Sequence, residues 1–219
     1  PRLLPALLTA PCIPGLYFAP TLQLPKDIAD EVMRFCLATY FHTQGVNQVM
    51  LFGRFTKNET NGDLSQSHLS GSSTGLPPIL LSLISTLEVL LSPVLPLQTH
   101  SLLFPPTPGA ARQAILNLYQ PGEGITPHID LLRRFGDGIM GVSLGSGCPR
   151  ERWDLYLPER SVIVLSEEAR YQWTHGIGKF KEDYVSLPHV DSPSGRWIER
   201  GMRLSITFRW LLPGADVVG

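Results

Sequence analysis

The sequence predicts a mainly β, α+β fold: an antiparallel sandwich or barrel with one face buttressed by helices from its N-terminal half. Three observations carry that expectation. From residue 112 onward, short runs of β-favouring residues alternate with Gly/Pro turns, at 113–119, 138–144, 152–157, 161–165, 171–175 and 202–210. No helical spacing interrupts them, as a parallel sheet with crossover helices would require. Before residue 100, two stretches instead repeat their apolar residues at helical spacing. No internal repeat or domain boundary is visible. The 219 residues are therefore expected to form one domain, with 1–110 supplying helices and a lid region and 111–212 the β-core.

The first helix is expected over 25–37. Pro25 suits a first turn, Asp27, Asp30 and Glu31 favour the N-terminal end, and Ile28, Val32, Phe35 and Cys36 share one stripe. A short apolar strand follows at 48–53. Residues 56–75 are rich in Ser, Asn and Gly, and a polar loop of this length is either a lid over a site or disordered. Asn58 and Thr60 match a glycosylation sequon, read as coincidence without a secretory signal. The second helix is expected over 77–91, with Leu80, Leu83, Leu87 and Leu90 or Leu91 on one stripe, stopped by Pro93 and Pro96. The charged, turn-rich stretch 178–201 is read as an insert.

Composition bounds the function. A net charge of −1 and a pI near 6.7 exclude the bulk basic footprint of a strong nucleic-acid binder, though not a local basic groove. The three cysteines, Cys12, Cys36 and Cys148, are scattered without a CxxC pair, which fits a reducing compartment better than disulfides or a zinc site. The apolar residues 1–14 are broken by Pro1, Pro5, Pro11 and Pro14, so no signal peptide is expected. The run 79–97 carries Glu88 and two prolines and reads as a buried helix rather than a membrane span. The expected protein is intracellular, cytoplasmic or nuclear, off the membrane and monomeric.

The chemistry concentrates in NLYQPGEGITPHID, residues 117–130. In extended backbone, residues i and i+2 point to the same side, so His128 and Asp130 can aim a nitrogen and an oxygen at one point. His175 is a candidate third ligand; alone, such a histidine is more often packed than a ligand. Two histidines and one carboxylate occupy one triangular face of an octahedral ion and leave the other positions open, which suits Fe(II) and oxygen chemistry. The last strand places Met202, Leu204, Ile206 and Phe208 on one face and Arg203, Ser205, Thr207 and Arg209 on the other. Solvated arginines on a half-exposed strand would explain that alternation. However, Asn117 and Tyr119 share a face with Ile115, and a polar interior of guanidinium, amide and phenol groups fits a small acid with two carboxylates.

With these residues in place, the sequence resembles the AlkB family of Fe(II)- and 2-oxoglutarate-dependent dioxygenases over residues 113–209. The matching stretches are NLYQPGEGITPHID, VSLGS at 142–146, RYQWTHGI at 170–177 and RLSITFR at 203–209. The resemblance implies a double-stranded β-helix, or jelly roll, behind N-terminal helices. It implies that His128, Asp130 and His175 bind iron and are the catalytic set. Arg203 and Tyr119, helped by Ser205, would hold the distal carboxylate of 2-oxoglutarate, with Asn117 and Arg209 near the metal-chelating end. The implied reaction consumes O2 and converts 2-oxoglutarate to succinate and CO2. It hydroxylates a substrate C–H, and from an N-methyl group it releases formaldehyde.

Family members act on alkylated bases in DNA or RNA, on modified tRNA uridines and in some cases on proteins. A nucleic-acid base is the substrate implied here, with a protein or small-molecule substrate on the same iron site as the alternative. Base-repair members carry acidic residues after the metal-binding aspartate; here Leu131, Leu132, Arg133 and Arg134 stand there. The wording at 142–146 and 173–177 is similar to the eukaryotic tRNA-modifying branch. Candidate substrate contacts are Phe52, Arg54, Phe55 and Lys57, which offer stacking and charge, together with Leu132, Arg133 and Arg134. Ordinary surface residues would look the same.

Overall fold

The computed structural model describes residues 5–53, 75–147, 154–186 and 195–215. Residues 54–74, with Arg54, Phe55, Lys57 and nearly all of the expected polar loop, lie outside the described residues, as do Cys148 and the first two residues of the 152–157 strand candidate.

Helix α1 (Lys26–Tyr40) follows Pro25 and buries Ala29, Val32 and Cys36, one stripe at helical spacing. Helix α2 (Pro78–Leu91) buries Leu80, Leu83, Leu87 and Leu91, so Leu91 rather than Leu90 completes its stripe. Burying a leucine side chain contributes about 1.5–3 kcal/mol, so this stripe is a principal anchor of the helical layer. Pro93 and Pro96 do end α2, but Pro96 also precedes a short helix, α3 (Leu97–Leu103), which the proline pattern concealed. Among the described residues no helix is long and apolar enough to cross a membrane.

Six antiparallel strands form the main sheet: β1 (Leu16–Gln23), β2 (Gln48–Gly53), β3 (Arg112–Tyr119), β5 (Ile139–Gly145), β6 (Ser161–Leu165) and β10 (Arg203–Trp210), in the order β1-β6-β5-β10-β3-β2. The period of two along each strand divides the sheet into two faces. Leu116, Val142, Leu144, Val162, Val164, Leu204, Ile206 and Phe208 pack with α1, α2 and α3 in the main core. Over the opposite face lies a two-stranded sheet, β4 (Ile125–His128) with β7 (His175–Ile177). The result is the two-sheet, mainly β jelly-roll architecture with N-terminal helices, and the space between the sheets is where the polar side chains of β3 and β10 point.

Three local expectations change. Residues 171–175 are not a strand: α4 (Glu167–Tyr171) comes first, and β7 begins only at His175. The helical turn is favoured by Glu167 and Glu168 at its start and by the Asp137 carboxylate, which accepts from the Glu167 amide at 3.1 Å. The 178–201 insert contains a hairpin, β8 (Glu182–Ser186) with β9 (Gly195–Glu199). Its buried side includes Asp183, bound at 2.6 Å to buried Arg200, so a charge occupies a position where an apolar residue would have revealed the strand. Within the described residues 154–157, Leu155 makes only an isolated bridge to Leu7.

Candidate metal centre and its cavity

Strand β4 presents His128 and strand β7 presents His175, and the antiparallel register sets the two directly opposite one another. Glycine makes that approach possible. A Cβ on Gly176 would lie 2.8 Å from the Pro127 nitrogen, and one on Gly124 would lie 2.1 Å from the Ile177 carbonyl oxygen. The imidazole centroids are 4.5 Å apart. Asp130, two residues beyond His128, turns its carboxylate to the same point, with Oδ2 3.5 Å from His175 Nε2. One ligand atom from each of His128, Asp130 and His175 lies within 4.8 Å of the others. Asp130 is buried and both histidines are half-buried.

The ring orientation of His128 is set from behind. Its Nδ1 lies 2.9 Å from the Thr126 carbonyl oxygen; the carbonyl can only accept, so Nδ1 carries the proton and Nε2 keeps its lone pair. Asp130 is likewise held. Arg209 Nη1 donates to Asp130 Oδ1, while Arg209 Nη2 and Nε donate to Gln113 Oε1 at 2.6 and 3.1 Å. The same guanidinium stacks 3.9 Å from the Phe135 centroid. Burial pushes the Arg209 guanidinium below its ordinary pKa, and the Asp130 charge and hydrogen bond oppose that shift. Two imidazoles and a carboxylate, converging and separately braced, have the chemistry of a facial triad with open positions. This donor set fits Fe(II).

Along the cavity from these ligands, β3 and β10 pair Tyr119 with Arg203, Asn117 with Ser205, Ile115 with Thr207 and Gln113 with Arg209. Opposed residues of an antiparallel pair share a face, and all of these except Gln113 line the space between the sheets. Arg203 is 6% exposed. Its Nε donates to Ser143 Oγ at 2.8 Å, and its guanidinium carbon lies 5.6 Å from the Tyr119 centroid. Its Nη1 is buried with no hydrogen-bond partner among the described residues. A buried guanidinium nitrogen without an acceptor is costly, and a ligand carboxylate would complete it. Asn117 is oriented by Gln48, whose Nε2 donates to Asn117 Oδ1 at 2.7 Å. Ile115, Ile139, Ile163, Leu165 and Ile177 supply an apolar lining. The cavity fits a small acid.

All eight residues expected at the metal and the 2-oxo acid thus come together around one cavity. The substrate candidates among the described residues do not. Phe52 lies opposite Gln113 on the outer strand β2 and shares its face, beyond the cavity lining. Leu132 and Arg133 are exposed in the turn after Asp130, and Arg134 is half-buried there. Sequence reasoning missed Gln113, Ser143 and Arg170, each of which braces a site residue or its backbone. Ser143 and Arg170 lie inside the family-like stretches, which was the available signal. Gln113 had only its β3 face.

The sequence profile of the 2OG-Fe(II) oxygenase superfamily matches residues 22–209. Similarity to curated proteins is more local. An uncharacterized protein, L905, of Acanthamoeba polyphaga mimivirus is 39% identical over 106 residues, 44% of this chain and 47% of that protein. The tRNA (carboxymethyluridine(34)-5-O)-methyltransferase alkbh8 of Xenopus tropicalis is 37% identical over 112 residues, 44% of this chain and 18% of that protein. The chain therefore spans less than half the length of these relatives. Among solved structures, a Trichoplax adhaerens prolyl hydroxylase, in complex with a hypoxia inducible factor peptide fragment, covers 92% of this chain and 85% of its own. Its TM-score is 0.49 at 14% identity.

Proposed function

We propose that this chain, which belongs to the 2OG-Fe(II) oxygenase superfamily, is a dioxygenase that oxidises a C–H bond of an alkylated or modified nucleic-acid base. Fe(II), 2-oxoglutarate and O2 are the cofactors that this membership implies. In this reading His128 Nε2, Asp130 and His175 hold the metal, and Arg203 with Tyr119 and Ser205 binds the distal carboxylate of 2-oxoglutarate. Asn117 and Arg209 flank the chelating end. The single observation that carries it is the His–Asp–His convergence in one cavity with a buried Arg203 that lacks an acceptor at Nη1 among the described residues.

The bound iron would supply oxidising power drawn from O2 and the decarboxylation of 2-oxoglutarate. The side chains would supply position. Thr126 keeps His128 in the tautomer whose Nε2 can ligate. Arg209 and Gln113 hold the Asp130 carboxylate so that one oxygen stays on the ligand side. Arg203 gives 2-oxoglutarate one seat and hence one orientation relative to the metal. The isoleucines and Leu165 keep water from the reacting atoms.

A nucleic-acid substrate is supported by the tRNA modification that names the Xenopus relative and by the name of an Arabidopsis thaliana relative, an alkylated DNA repair protein homolog. Phe52, Arg54, Phe55, Lys57, Leu132, Arg133 and Arg134 remain the candidate contacts. One oxygenase domain over residues 1–219, monomeric and acting in the cytoplasm or nucleus, belongs to the same proposal. The test is an anaerobic titration with Fe(II) and 2-oxoglutarate, followed by succinate assays with methylated RNA, methylated DNA or methylated peptide. A visible charge-transfer band in the wild type, absent in His128→Ala and requiring more 2-oxoglutarate in Arg203→Ala, is expected. Turnover should rise with a methylated oligonucleotide; a rise with peptide alone would reject the nucleic-acid reading.

A further inference from the structure

Two of the three candidate ligands, Asp130 and His175, sit on segments far apart in sequence, and something must hold those segments in register. Arg170 in α4 is placed to do so. It is 2% exposed, and its guanidinium meets main chain instead of an acid: Nη1 donates to the Asp130 carbonyl at 3.0 Å, Nη2 to the Phe135 carbonyl at 3.2 Å and Nε to the Gly136 carbonyl at 3.3 Å. Among the described residues no carboxylate lies within ion-pair distance of it. A buried charge without a counter-ion is expensive to retain, so the geometry it enforces is its main yield. The planar fork of arginine donates to three spread carbonyls from three separate nitrogens, whereas lysine has a single nitrogen from which to reach them.

The other end of α4 is tied to the same segment. The Asp137 carboxylate accepts from the Glu167 amide at 3.1 and 3.3 Å and from the Gly138 amide at 2.8 Å. Helix α4 is thereby fastened at both ends to residues 130–138, and five residues beyond Arg170 the chain delivers His175. We propose that Arg170 is a positioning residue for the metal centre. Its guanidinium fixes the main chain of Asp130 against the segment that carries His175, and so sets how tightly the three ligands hold a divalent ion. This rests on the metal-site reading above.

The experiment measures Mn(II) binding by loss of the free-ion EPR signal, and the visible spectrum of the Co(II) form, in the wild-type 219-residue chain and its variants. Arg170→Met is expected to weaken Mn(II) binding at least tenfold and to alter the Co(II) band shape, and Arg170→Lys to recover part of the affinity. Arg160→Met is the structural control. Arg160 also holds a main-chain carbonyl, that of Leu24 at 3.0 Å, but bonds to neither ligand segment. It should lower the melting temperature and leave Mn(II) affinity within twofold of wild type. If Arg170→Met fails to fold, Arg170→Lys carries the test with the same expected direction. Mn(II) affinity within twofold of wild type in a folded Arg170 variant would overturn the proposal while His128→Ala still abolishes binding. Wild type that binds no Mn(II), or His128→Ala that binds normally, would instead overturn the metal-site reading, and this inference with it.

Discussion

Arg203 and Cys36 are both buried, and each makes an opposite kind of demand on its surroundings. Arg203 Nη1 has no acceptor among the described residues, and a charge-assisted hydrogen bond from it would contribute about 1.5–3 kcal/mol. Arg203→Gln is therefore expected to weaken 2-oxoglutarate binding by roughly tenfold to a hundredfold while leaving the ligand-free melting temperature unchanged or higher. Calorimetric titration and a thermal melt on the same preparation read both signs. Cys36 lies in the apolar core, and burial pushes its thiol from 9.0 up to about 12. The folded state resists losing that proton and the unfolded state does not, so stability is intact below pH 9 and falls as pH rises towards 12. Each pH unit in that window removes about 1.4 kcal/mol, visible in urea melts between pH 8 and pH 11 and absent from the alkaline limb of Cys36→Ala.

Strand β10 shows what a sequence reveals. Its strict alternation put Met202, Leu204, Ile206 and Phe208 on one face and Arg203, Ser205, Thr207 and Arg209 on the other. Leu204, Ile206 and Phe208 do enter the core and the four polar residues line the cavity, because the strand is sandwiched between unlike environments, whereas Met202 precedes the strand and is exposed. The helices α1 and α2 were legible for the same reason. Strand β1 was not: Pro20 interrupts it, which the sheet tolerates because β1 lies at an edge. Neither was the β8–β9 hairpin, where Asp183 and Arg200 fill buried positions. In the site, ligand types and spacing were legible, but the bracing by Gln113, Ser143 and Arg170 depends on register between strands distant in sequence. The hairpin makes its own prediction. Burial raises the Asp183 pKa against the lowering influence of Arg200, so the pair is held together by geometry more than by surplus energy. Arg200→Met should cost about 3–5 kcal/mol in urea denaturation by stranding the carboxylate, and adding Asp183→Leu should return most of that loss.

The main sheet separates two tasks. On one face the leucines of α2 close the core; on the other, β3 and β10 project the polar groups that meet β4 and β7. Side chains on opposite faces of one strand share backbone but no contacts, so damage to the helical face should reach the site only through movement of the sheet. Leu87 is fully buried in α2, and Leu87→Ala should cost about 2–5 kcal/mol. If the two faces are energetically separate, its affinity for Mn(II) and 2-oxoglutarate should stay within about twofold of wild type, since the loss is borne by the global unfolding step. The two effects then add in a predictable way. Saturation of the site at a hundred times the dissociation constant stabilises the folded state by about 2.7 kcal/mol. Wild type and Leu87→Ala should therefore show equal ligand-induced gains in unfolding free energy, measured by denaturant titration at fixed Mn(II) and 2-oxoglutarate. A smaller gain in Leu87→Ala would mean that the helical layer helps to set the ligand geometry, and that the sheet transmits strain from one face to the other.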